Sequence, residues 1–177
     1  QLSLALLAGL GVAVLIGQPL SSQYLADVRH FSRTTIGTLG SLNALGTAVF
    51  SLMLGRLAAW RGFFASLGLV LASFVLFLLS GSPAAAVFAV FLLGAHYATR
   101  PLATSVISVV VPHHQHGVAF ALVDTLAGLA ALIGTNLAGT LYEFNPVWPF
   151  GAGSIGIGVV ATLGVLLAFL PARRRVS

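Results

Sequence analysis

The sequence contains no cysteine and only three acidic residues in 177. The first absence excludes disulfides and thiolate metal sites. The second leaves charged side chains at 6% of the chain, against roughly a quarter in a soluble domain. With so few charges, a water-soluble fold of this size has no means of covering its own core. What is there instead is apolar: 58% hydrophobic residues and a mean hydropathy of +1.05. A lipid solvent removes the need for a polar coat, and 177 residues provide several spans of ~20 residues and little else. A single transmembrane bundle over residues 1–177 is therefore expected, with the bilayer as a partner. The net charge of +5 does not point to nucleic acid. The arginines stand singly at the ends of apolar stretches, apart from one terminal run, whereas a phosphate-binding face needs a clustered patch.

Six apolar stretches are separated by short polar breaks. They run from about Leu2 to Leu25, Thr34 to Ala59, Phe63 to Ser80, Ala84 to Val111, Gly117 to Tyr142 and Val147 to Leu170. They are too long, and alternate too little, for barrel strands, so an all-α membrane protein with six transmembrane helices is expected. The first stretch begins at once after Gln1, without a charged leader or cleavage site. The expectation is that an amino-terminal part of the natural protein precedes this chain. Arginine placement orients the bundle. With both ends of the segment in the cytoplasm, Arg56, Arg61, Arg173, Arg174 and Arg175 lie inside, and only Arg29 and Arg33 outside, as the positive-inside rule favours. Tyr24, Trp60, Tyr142 and Trp148 fall near span ends, where interfacial aromatics belong. An internal repeat is also suggested. Gln18-Pro19-Leu20-Ser21 in the first stretch parallels Arg100-Pro101-Leu102-Ala103 in the fourth, and Asn43 and Asp124 follow at nearly equal offsets. Three helices followed by three related ones have opposite topology, an inverted 3+3 repeat.

Arg100 is the most informative residue, because it lies deep inside the fourth stretch. A central arginine costs ~2.5–3.5 kcal/mol on insertion scales, so it normally faces a cavity or a partner. Pro101 frees a backbone carbonyl beside it, and a bend is expected there. Arg100 reads as a ligand-binding or gating charge, or else as half of an ion pair joining helices. Asp124, the acid well inside a stretch, is within reach of an extended Arg100. It would either switch partners with protonation or substrate, or form a static pair. Gln18, Asn43, His96, Tyr97 and Asn136 are the other polar groups inside stretches. Each one reads more readily as a helix-to-helix hydrogen bond than as a substrate contact. As a set they mark the first, second, fourth and fifth helices as lining a polar path. The third and sixth carry no charged, amide or imidazole group and read as lipid-facing supports. His113, His114 and His116 cluster in a short turn, but without an acid or cysteine they make a poor metal cage, so no metal and no cofactor is expected. Gly128, Gly134 and Gly139, with Ala130 and Ala138, give the fifth stretch a small-residue face for close helix packing.

With these features in place, the segment Gly55-Arg56-Leu57-Ala58-Ala59-Trp60-Arg61-Gly62 resembles the signature loop of the major facilitator superfamily, Gly-Arg-Leu-Ala-Asp-Arg-x-Gly. Gly55, Arg56, Arg61 and Gly62 are the matching loop residues. Ala59 stands where the family has its acid, as is common in second-half copies. The run from Gly128 to Gly139 is similar to the family's glycine-rich fifth helix, with Thr135 where proline is frequent. Arg100-Pro101 sits where members often carry a polar or charged residue. The resemblance covers essentially the whole chain and matches the carboxy-terminal six-helix half. It implies half of a twelve-helix secondary transporter in the cell (inner) membrane, moving a small solute by alternating access, with coupling to protons typical of the family and proton-coupled efflux one mode open to it. Its partners would be the solute and either a missing amino-terminal half in the same chain or a second copy. The rival readings are a six-helix half-transporter acting as a homodimer and an intramembrane enzyme. The latter lacks support, because Ser154 is followed by no histidine and no nucleophile–base pair is apparent.

Overall fold

A computed structural model describes residues 16–79 and 81–169, and every regular element in it is helical. Most of the first expected stretch, and the end of the sixth with the arginine run after it, lie outside the described residues. A 3-10 turn at Gln18–Leu20 leads into α1 (Ser21–Asp27). There follow α2 (Arg33–Gly55), α3 (Ala59–Leu79), α4 (Pro83–Leu93), α5 (Ala95–Val110), a 3-10 turn at His113–Gln115, α6 (His116–Phe144) and α7 (Trp148–Phe169). Among the described residues, four helical segments are long and apolar enough to cross a membrane: Arg33–Gly55, Ala59–Leu79, Pro83–Val106 and His113–Phe144. The third of these combines α4 and most of α5.

Local chemistry sets the ends of these helices. Ser32 caps α2, its hydroxyl accepting from the Thr35 amide at 3.1 Å. Ser82 caps α4 by accepting from the Ala85 amide at 3.2 Å, with Pro83 following in the first turn. Both hydroxyls satisfy amides that a helix start leaves without an internal partner, and proline in that turn has no amide to lose. α6 stops before Pro146: Asn145 turns extended at φ −160°, and its side-chain oxygen accepts from the Val147 amide at 2.9 Å. Between α1 and α2 the chain reverses through His30, whose φ of 55° is in the left-handed region.

The fourth expected helix is divided at Gly94. The Gly94 amide bonds the Phe91 carbonyl at 3.1 Å instead of reaching back a full α-helical turn to Val90. The Val90 carbonyl is taken by the side-chain amide of Asn43 on α2, at 2.9 Å. The division exists because α2 crosses there at backbone contact. A Cβ on Gly94 would lie 2.5 Å from the Thr47 amide nitrogen and 2.6 Å from the Asn43 carbonyl oxygen. On the other side, a Cβ on Gly46 would collide with the Phe91 carbonyl oxygen. α5 continues through Pro101, and the departure from α-helical hydrogen bonding comes at Gly94.

The third helix is two-sided, with Val75 and Leu79 turned outward and an apolar inner face. Its inner face packs against α4, α5 and α7. Phe63, Leu67, Val70, Phe74 and Phe77 are all buried on it, and so are Ser66 and Ser73. The absence of ionic groups on α3 is what burial among helices demands, and lipid exposure is only one other way to meet it. The two serines are satisfied where they lie. Ser66 donates to the Phe63 carbonyl and receives the Thr99 hydroxyl of α5 at 3.1 Å. Ser73 donates to the Ala89 carbonyl of α4 at 2.7 Å. α7 is two-sided, with Pro149, Phe150 and Ile157 buried and Ile155 and Val159 outward. At one end of the bundle Phe150 meets Tyr24, Phe74 and Phe77, with ring centroids 5.0–5.8 Å apart. Tyr24 is therefore a core residue at 2% exposure and not an interfacial aromatic. Trp60 and Trp148 do lie exposed at helix ends. The helices with the least buried surface are α2 and α6.

Candidate functional site

α5 carries the chemistry. Tyr97 and Arg100 are three residues apart on it and so share a face, and both are exposed. Arg100 Nη2 donates to Asp124 Oδ1 on α6 at 2.5 Å. This charge-assisted contact uses one of the five donors of the guanidinium. The two side chains are 66% and 57% exposed, so the pair stands open on the face of the bundle. One turn away, Gln18 donates to the Tyr97 hydroxyl at 3.3 Å. The His96 ring meets Tyr97 edge-on, centroids 5.2 Å apart. The buried His96 Nδ1 has no hydrogen-bond partner among the described residues.

Five of the expected site residues are thus gathered along α5: Gln18, His96, Tyr97, Arg100 and Asp124. Asn43 and Asn136 are not among them. Asn43 is committed to the freed Val90 carbonyl, a helix-to-helix bond. Asn136 donates to the Leu132 carbonyl of its own helix at 2.8 Å. In the loop motif, Gly62 is buried and a Cβ there would lie 2.8 Å from the Leu54 carbonyl oxygen, so α3 starts in close contact with the end of α2. Gly55 faces open space, and Arg56 and Arg61 are exposed. Of the packing glycines on α6, Gly134 is buried, whereas a Cβ on Gly128 or Gly139 would meet nothing within 4 Å. Within the described residues the closest backbone approach is instead that of Gly46 and Gly94. In the histidine turn, the His113 and His116 rings stack with centroids 4.7 Å apart, and His116 Nε2 pairs with the Val111 carbonyl at 2.8 Å. The Ser154 hydroxyl donates to the Phe150 carbonyl of its own helix at 2.8 Å.

Sequence reasoning passed over two contacts at the opposite end of the bundle from the histidine turn. Tyr142 donates to Asp27 at 3.1 Å, joining the end of α6 to the end of α1. The Arg29 guanidinium lies 5.5 Å from the centre of the Tyr24 ring and donates to the Phe77 carbonyl at 3.4 Å. The pairs are separated by 115 and 48 residues, and no local pattern announces them. The Gly94 crossing did leave a signal, a glycine in the middle of an apolar stretch.

Among the described residues, an all-helical array with four segments long and apolar enough to cross a membrane, and an ion pair exposed between two helices, has the make-up of a multi-pass membrane protein. The chain belongs to the major facilitator superfamily, whose family model matches residues 2–177. No curated protein and no solved structure matches it.

Proposed function

We propose that this chain is the carboxy-terminal six-helix half of a secondary active transporter that moves a small solute by alternating access. The observation that carries the reading is the exposure of the Arg100–Asp124 pair on the face shared by α5 and α6. Each charge turned to hydrocarbon would cost ~2.5–3.5 kcal/mol on insertion scales. The face is therefore turned to a watery path or to another part of the transporter. The polar groups continue along the same helix through Tyr97, Gln18 and His96, and the helix is divided at Gly94 near the middle of its span.

On this reading the bundle is an inverted 3+3 repeat with both ends of the segment in the cytoplasm of the cell (inner) membrane. The little-buried faces of α2 and α6 meet the amino-terminal half in the same chain. The homodimer reading places a second copy there. Proton coupling belongs to the same proposal, and Asp124 is the acid on this face able to take the proton. The assembly is a carrier and not an enzyme, and needs no cofactor. The test is transport by the intact protein in vesicles, with and without a proton gradient. Arg100→Ala is expected to abolish transport while membrane insertion persists. An Arg100→Ala protein carrying solute at the normal rate would refute the site.

A further inference from the structure

We infer that the solute is an organic anion presenting a carboxylate to Arg100, and that it crosses together with one proton taken up by Asp124. The inference rests on the reading of the Arg100–Asp124 pair as the transport site and adds the class of its cargo.

The argument starts from what each charge is able to do. Arg100 keeps its proton under all ordinary conditions, so its positive charge is permanent. Asp124 is a carboxylate that becomes neutral by gaining a proton. As it stands, the pair has no net charge. A site that moves between the two sides of a membrane must stay near neutral when loaded, because an uncompensated charge in hydrocarbon is expensive. A cationic solute cannot meet that condition: it would add to the fixed charge of Arg100, and no group of the pair is able to lose positive charge in return. An anionic solute can. It takes the place of Asp124 on the guanidinium while Asp124 takes a proton from the water, and the loaded site is neutral again. A neutral solute would leave the pair undisturbed and make no use of it.

The geometry has room for this exchange. Asp124 engages Arg100 through a single Nη2–Oδ1 contact, and the guanidinium side chain is 66% exposed. The open edge of its donor fork matches the two oxygens of a carboxylate. The exposed Tyr97 on the same face, with Gln18 on its hydroxyl, provides further polar contacts for the rest of the molecule. Among the described residues, the ion-pair partner of Asp124 is Arg100. The elements against α6 are α5, α7, the two short turns and, at its far end through Tyr142, Asp27 at the end of α1. The described part of α7 has no titratable side chain, and neither does the Gln18–Leu20 turn. α5 brings His96, Tyr97 and Arg100, and the second turn brings His113 and His114 at the far start of α6.

The experiment uses the intact protein in liposomes loaded with a pH-sensitive dye, and three kinds of labelled probe: gluconate and benzoate, benzamide, and tetraethylammonium. The expected result is flux of a carboxylate probe with one proton alongside, insensitive to an imposed membrane voltage. Arg100→Lys keeps the charge but loses the fork, and is expected to lower that flux by about 10- to 100-fold. Asp124→Asn imitates the protonated acid, so carboxylate exchange persists in it while proton movement disappears. Circular dichroism and gel-filtration elution matching the wild-type protein establish that both variants fold. Selective flux of tetraethylammonium or benzamide would overturn the anion class and leave the transport reading intact. A proton still accompanying each carboxylate in Asp124→Asn would overturn the role of Asp124. Wild-type flux in Arg100→Ala would overturn the underlying reading of the site itself.

Discussion

Replacing Gly94 by alanine is the sharpest test of how the bundle is held at its divided helix. The added methyl would sit 2.5 Å from the Thr47 amide nitrogen, 2.6 Å from the Asn43 carbonyl oxygen and 2.7 Å from the Gly46 carbonyl carbon, where ordinary contact begins at 3.4 Å. All three are backbone atoms, so no side chain is able to swing aside. The helices must part by roughly 0.9 Å, a case of overpacking that typically costs ~1–3 kcal/mol. The same movement stretches the Asn43–Val90 bond from 2.9 Å beyond hydrogen-bonding range. An orphaned carbonyl in a dry interior costs a further ~1–3 kcal/mol. Alanine returns up to ~1 kcal/mol through helix propensity, which leaves a net loss of ~1–6 kcal/mol. The assay is equilibrium unfolding in mixed micelles followed by circular dichroism. Gly128→Ala serves as control: open space surrounds that position, so stability should hold or rise by as much as ~1 kcal/mol. If Gly94→Ala unfolds at the wild-type midpoint, or Gly128→Ala is equally damaged, the crossing is not what holds these helices together.

Other outcomes follow from the same packing. Phe150→Ala removes the ring shared by Tyr24, Phe74 and Phe77 and should cost ~3–5 kcal/mol in the same unfolding assay. Asn43→Ala leaves the Val90 carbonyl without its donor and should cost ~1–3 kcal/mol, with no separate effect on solute affinity. Asp124→Asn should behave in the opposite way. Its pair with Arg100 is more than half exposed and contributes at most ~1 kcal/mol to stability, so the midpoint should stay put while proton-coupled transport disappears. A large fall in the unfolding midpoint would make the pair a structural tie instead.

The apolar stretches were legible because lipid solvation is a property of composition. α2, α3, α6 and α7 fall where runs of uncharged residues predict them, with ends at Ser32, Pro146 and similar local signals. The Arg100–Asp124 contact was also within reach of sequence reasoning, since both charges lie deep in neighbouring stretches and an isolated charge there is too costly to leave unpartnered. The sequence did not tell which face of α3 is buried among helices, for a definite reason. A helix buried among helices and a helix facing lipid have the same composition, because hydrocarbon and protein interior exclude the same groups. The site was legible in its charges and less so in its amides. Asn43 and Asn136 look alike as polar residues within spans, but Asn43 bonds a neighbouring helix and Asn136 its own.

By itself the sequence determined that this polypeptide is helical, is a membrane protein and carries a fixed positive charge within one of its apolar stretches. Those conclusions need only the free energy of moving each residue type out of water. Tertiary structure alone decided that the fourth helix breaks at Gly94 and that Asn43 is spent on the carbonyl released nearby. It also decided that Tyr97, Gln18 and the Arg100–Asp124 pair occupy one stretch of α5. Each of these depends on which backbone passes within a few ångströms of which other, and side-chain periodicity does not encode that distance.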